Sequence, residues 1–153
     1  MGRLVESDWQ TWQTEPLPLP LFAGTVLPID IVNEGGEGPL PDDLAAAARA
    51  FLTLPPSILR TPAVLDALVR NYEEAREFFC PEPLPITTAA DLWDHVMPIG
   101  VTAEWDEEGT PYLVVECNCD WEPEHGLALA FRRGRRLTRL SESDGHVTGR
   151  GEL

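Results

Sequence analysis

Lysine is missing from this chain altogether: its eleven basic residues are all arginine, set against 26 aspartates and glutamates. The formal charge of -15 repels nucleic-acid phosphate over most of the surface, which excludes direct DNA or RNA binding as a leading function. No run of eighteen apolar residues occurs, and Met1–Gln13 has neither the basic start nor the apolar core of a signal peptide. The expectation is a cytoplasmic protein with no membrane partner. Cysteine is scarce as well. Cys80, Cys117 and Cys119 make an odd set without framework spacing, and are expected to stay thiols. Glycine-rich phosphate cradles, the G-x-S-x-G elbow and H-E-x-x-H are all absent, so no familiar hydrolytic or nucleotide-dependent reaction is indicated and no cofactor is expected.

Proline, by contrast, is abundant. Fifteen prolines fall mainly at Pro16–Pro20, Pro39–Pro41, Pro55–Pro56 and Pro81–Pro85, where they punctuate the chain into elements. With 153 residues and 43% hydrophobic content, a single domain spanning 1–153 is expected, with residues 1–14 and 144–153 as flexible ends.

The segment Pro16–Val32 reads as an N-terminal β-ribbon of two extended pieces around Ala23–Gly24, suited to a sheet edge. Asn33–Pro39 is a glycine-rich loop. Asp42 and Asp43 then open a helix reaching Leu54, with Leu44, Ala47, Ala48, Phe51 and Leu52 on its buried face. Thr61–Pro62 has the form of an N-cap followed by proline at the first helical position, and the apolar stripe of Val64, Leu65, Leu68, Val69, Tyr72 and Phe79 predicts a helix to about Phe79. Thr88-x-x-Asp91 resembles a capping box, opening a short helix that lasts until Pro98. From there the periodicity changes to two: strands are expected at Ile99–Trp105, Tyr112–Cys119, Gly126–Arg132 and Arg135–Leu140, joined by short connectors. The fold class is therefore α+β, an antiparallel C-terminal β-meander packed against about three helices, with the N-terminal ribbon beside it.

Chemistry is concentrated between the second and third of these strands, where Asp120, Trp121, Glu122, Glu124 and His125 crowd into six residues. A tight loop on a rigid hairpin would display them as a partner-binding surface. Tryptophan is enriched at protein interfaces, and Trp121, with Trp9 and Trp12 of the leader, would anchor a partner while carboxylates steer it. Met1–Phe131 holds 23 acidic and 5 basic residues, whereas the last 22 residues hold six arginines and three acids, so a basic protein partner is the natural complement. As an alternative, Asp120, Glu124 and His125 offer oxygen and nitrogen ligands for a metal, or a carboxylate and imidazole for acid–base catalysis; Cys117 and Cys119 with His125 are a further zinc set. His95 and His146 are isolated in sequence.

These motifs also carry a resemblance. Trp121-Glu122-Pro123-Glu124-His125-Gly126-Leu127 after the C-x-C-D strand, the Leu92–Val96 L-W-D-H-V pattern, Leu137-Thr138-x-Leu140-Ser141, and Asp144-Gly145-His146-Val147-Thr148 together resemble a group of uncharacterised bacterial domains. The resemblance implies a small cytoplasmic α+β domain with no assigned reaction and, since similar domains occur around toxin–immunity loci, an immunity-type or regulatory binding role. It supplies no catalytic residue.

Overall fold

A computed structural model of the protein describes residues 4–7, 11–32 and 39–153. In chain order its strands are β1 (Leu4–Ser7), β2 (Thr11–Thr14), β3 (Leu17–Leu19), β4 (Thr25–Leu27) and β5 (Ile29–Val32), followed after helices α1 (Asp42–Phe51) and α2 (Pro62–Phe79) by β6 (Val96–Trp105), β7 (Pro111–Cys119), β8 (Leu127–Arg132) and β9 (Arg136–Ser141). The expected meander is β6 to β9, each strand antiparallel to the next. It is part of a larger sheet, ordered β1-β2-β5-β6-β7-β8-β9.

The ribbon was expected at an edge. Instead β3 and β4 form a separate hairpin, and β5 lies inside the main sheet between β2 and β6. The β5–β6 pair is parallel, Ile29 opposite Val101 and Ile31 opposite Ala103. A parallel neighbour needs a long crossover, and both α-helices are in it. The leader, expected to be a flexible end, carries β1 and β2, which extend the sheet beyond β5. Short polar strands such as Thr11–Thr14 give almost no alternating signal on their own.

Helix α1 buries Leu44, Ala47, Ala48 and Phe51, and ends at Phe51 rather than Leu54. Helix α2 begins at Pro62 as expected, but Thr61 does not cap it: the hydroxyl reaches back to the Ile58 carbonyl instead. Both helices lie on the sheet face made by Ile29, Val101, Leu113, Val115, Leu129 and Phe131, with Phe51 edge-on to Phe131 at 5.3 Å. Asp91 does accept the Thr87 and Thr88 amides, both at 2.8 Å. What it opens is a 3-10 helix, Ala89–His95, and β6 starts at Val96, before Pro98. The strand absorbs that proline at a bulge between Pro98 and Gly100, where a missing ladder donor costs least.

The β8–β9 connection is three residues long, Arg133 to Arg135, one more than expected, with positive φ at Arg133 and Gly134. A Cβ on Gly134 would run into the Ala47 carbonyl of α1, so glycine lets the helix approach the hairpin. The stretch after β9, expected to fray, follows its outer edge: Leu140 N donates to Gly151 O at 3.0 Å and Leu153 N to Thr138 O at 2.9 Å. Val147 from this stretch packs with Tyr112 and Ala130 on the face away from the helices. No described helix is long and apolar enough to cross a membrane.

Candidate functional site

The loop between β7 and β8 turns half of its side chains inward. Asp120 N donates to the His95 carbonyl at 3.2 Å, which ties the end of β7 to the 3-10 helix. Trp121 follows and is fully buried, its ring 5.7 Å from Tyr72 of α2 and its Nε1 donating to Asn71 Oδ1 at 2.8 Å. Glu122 is 4% exposed. Its Oε1 accepts the Glu124 amide at 3.0 Å and its Oε2 the His125 amide at 2.8 Å, so the carboxylate closes its own turn. Gly126 completes that turn at φ +69°, donating to Glu122 O at 3.1 Å.

Two of the five expected contact residues, Trp121 and Glu122, are therefore internal. Trp121 is a core residue that joins the loop to α2, and Glu122 is not displayed to a partner. Trp12 is half-buried against the main core, and Trp9 lies outside the described residues. Asp120, Glu124 and His125 are exposed. Asp120 reaches His95 Nδ1 at 2.8 Å, a contact that gives the sequence-isolated His95 a partner.

The metal-ligand set is rearranged in the same way. Glu122, His125 and Glu142 bring one ligand atom each within 4.8 Å of one another, and Asp120 and Glu124 are not in that group. Glu142 follows β9, and it arrives here because antiparallel β8 and β9 return the chain to the β7 end. No local motif announces it, since its approach depends on strand register. Cys117 and Cys119 are buried on the core face, and the Cys119 thiol donates to the Glu122 carbonyl at 3.9 Å; neither is in the ligand group. Burial pushes both thiols up, Cys119 to about 11, which disfavours the thiolate a metal needs.

Glu122 and Glu142 also line a groove of about 360 Å³ between α2 and the β9 edge. Phe78, 81% exposed, and Phe79 stand on its helical wall. Arg150 and Glu74 pair within it at 3.2 Å.

A second exposed feature lies on the sheet face free of helices. Met97 on β6 is 65% exposed there, and Ile99, the unpaired residue of the β6 bulge, is 49% exposed. Met97 is opposite Asn118, and Glu116 and Asp120 stand two residues to either side of Asn118. Further along this face, burial raises the Glu104 carboxyl, with Glu116 adding to the shift.

A helix-backed, mostly antiparallel sheet with one open face and a carboxylate–imidazole turn at its end defines an α+β domain. The chain belongs to the family described as Domain of unknown function (DUF6985), whose model matches residues 1–147. No curated protein and no solved structure matches it.

Proposed function

We propose that the chain is a protein-binding domain whose contact face is the open side of β6 and β7, and that its partner is basic. The supporting observation is the exposed pair of Met97, opposite Asn118, and Ile99, at the neighbouring bulge, with Glu116 and Asp120 two residues to either side of Asn118. Two large apolar side chains kept in water at the start of β6 favour association, each contributing roughly 1.5–3 kcal/mol when fully buried. The carboxylates around them and the charge of -15 favour a cationic partner and speed its encounter. Asp120, Glu124 and His125 belong to the rim of this reading, while Trp121 and Glu122 support it from beneath. Immunity-type and regulatory domains act in this manner, by covering a partner's surface, and the proposal extends to both.

The test is affinity capture from native extract with the wild type, the double variant Met97→Ser/Ile99→Ser, and Phe78→Ser as a surface control. A basic protein should be retained by wild type and control, weakened by salt, and lost with the double variant. A capture profile that is the same for all three removes the proposal. The rival reading, a metal- or carboxylate-dependent enzyme, has a different footing in the Glu122–His125–Glu142 group.

A further inference from the structure

We infer that Glu122, His125 and Glu142 form a binding site for a divalent transition-metal ion, best matched by zinc, which opens onto the groove between α2 and β9. The inference does not rest on the partner-binding reading, whose face is centred on β6 and β7 and meets this site only at His125 on its rim and Glu122 beneath it.

The donor set comes first. One imidazole nitrogen and two carboxylate oxygens lie within 4.8 Å of one another. Zinc bonds of roughly 2.0–2.2 Å place tetrahedral donors about 3.3–3.6 Å apart, so the site closes through small side-chain rotations. His125 and Glu142 are exposed and have that freedom. Calcium requires six or more oxygen ligands, and magnesium a shell of oxygens, which a set containing imidazole does not match.

Glu122 supplies the fixed point. Its side chain is 95% buried, and each carboxylate oxygen is held by one loop amide. A carboxylate oxygen accepts at two positions: Oε1 keeps one free, and Oε2 faces His125 Nδ1 at 3.2 Å, where a cation would take the place of a ring proton between them. The arrangement resembles the support that outer-sphere hydrogen bonds give to metal ligands.

Charge makes the same demand. Two carboxylates converge beside the groove; among the described residues His125 Nδ1 lies 3.2 Å from Glu122 Oε2, and no arginine is in ion-pair contact with either carboxylate. Arg139 is taken up by Asp144 and Arg150 by Glu74. A bound cation would relieve the repulsion between Glu122 and Glu142. Three protein ligands also leave at least one coordination position for water or a ligand from the groove, the open form of zinc site rather than the closed structural form.

The experiment uses the full chain stripped with chelator and titrated with zinc chloride against a chromophoric competitor. One equivalent should bind. Glu142→Gln and His125→Gln should each weaken binding at least tenfold, whereas Asp120→Asn and Glu124→Gln should leave it unchanged. Since Glu142 and His125 are exposed, both variants should fold, which their far-ultraviolet circular dichroism checks. Cobalt substitution should give a spectrum without a thiolate charge-transfer band, and calcium should not displace zinc. Lack of stoichiometric binding, binding indifferent to His125→Gln or Glu142→Gln, or a thiolate band would overturn the assignment.

Discussion

Arg139 donates two parallel hydrogen bonds to Asp144, Nη1 to Oδ1 at 2.9 Å and Nη2 to Oδ2 at 2.7 Å, although the guanidinium side chain is only 2% exposed. Its Nε donates to Arg150 O at 2.6 Å, and Nη1 also donates to the His146 carbonyl. A single buried cation therefore clips the C-terminal stretch to the edge strand β9, whose free amides and carbonyls would otherwise invite pairing with other chains. Replacing Asp144 with alanine strands that cation. Breaking a buried pair typically costs about 3–5 kcal/mol, and because a third of Asp144 is solvated the expected loss is about 2–3 kcal/mol, read from urea unfolding. Faster amide exchange at Leu140 and Leu153 should accompany it.

The same pair sets an acid response. Hydrogen bonds from Arg139 hold the Asp144 carboxyl at about 2, below the ordinary aspartate value of roughly 3.9. A folded-state pKa below the unfolded one contributes stability that is complete above the unfolded value and disappears as pH falls through the folded one. Asp91, held down by the Thr88 and Thr87 amides, acts with the same sign. Urea midpoints should therefore fall between about pH 5 and pH 2, and less steeply in Asp144→Asn. Equal slopes for wild type and variant would show that Asp144 is not the group responsible.

Trp121 separates structural from recognition roles. Its ring meets Tyr72 and its Nε1 meets Asn71, so Trp121→Ala removes a fully buried side chain and leaves an amide oxygen without its donor. The expected cost is about 3–5 kcal/mol. Under stabilising conditions the folded fraction of this variant should capture the same partners as the wild type. Loss of a partner at unchanged stability would return Trp121 to the interface.

Much of this architecture was readable from local pattern. Leu44, Ala47, Ala48 and Phe51 at three-to-four spacing mark α1, and Leu113, Val115, Cys117 and Cys119 at spacing two mark β7. The failures share a cause, because each depends on contacts distant in sequence. Thr11–Thr14 becomes a strand only because β5 offers it an edge, and Pro98 is tolerated in β6 only because β7 accommodates a bulge. At the site, composition singles out Asp120–His125 but cannot tell which side chains turn inward. Trp121 and Glu122 do so because α2 supplies Tyr72 and Asn71, and the loop supplies two amides.

Gly126 governs the geometry of that loop. At φ +69° an L residue is strained by roughly 1–2 kcal/mol, and a Cβ there would also meet the Cys117 carbonyl. Gly126→Ala should therefore destabilise the protein by more than the backbone term alone and release the Glu122–His125 turn. Zinc affinity should fall with it. A variant as stable as the wild type, with the His125 amide resonance unmoved, would contradict this account of the turn.

The three thiols should be chemically unequal. Cys117 and Cys119 are buried behind the helices, and burial raises both above the ordinary thiol range, Cys119 to about 11. Cys80, at the end of α2, is partly exposed, with its thiol donating to the Glu82 carbonyl at 3.2 Å. The thiolate is the reacting species, so an aromatic disulfide reagent at about pH 8 should label one thiol rapidly and the other two at least about a hundredfold more slowly. Cys80→Ser should abolish the fast phase alone. Because these folded-state values lie above the unfolded thiol value of roughly 8.5, their contribution is complete below it and is lost as pH rises toward 11. Alkaline unfolding should accordingly set in earlier for the wild type than for Cys119→Ala relative to each protein's own neutral stability. Coincident alkaline profiles would mean that the buried thiols do not ionise on unfolding and that another group controls the transition.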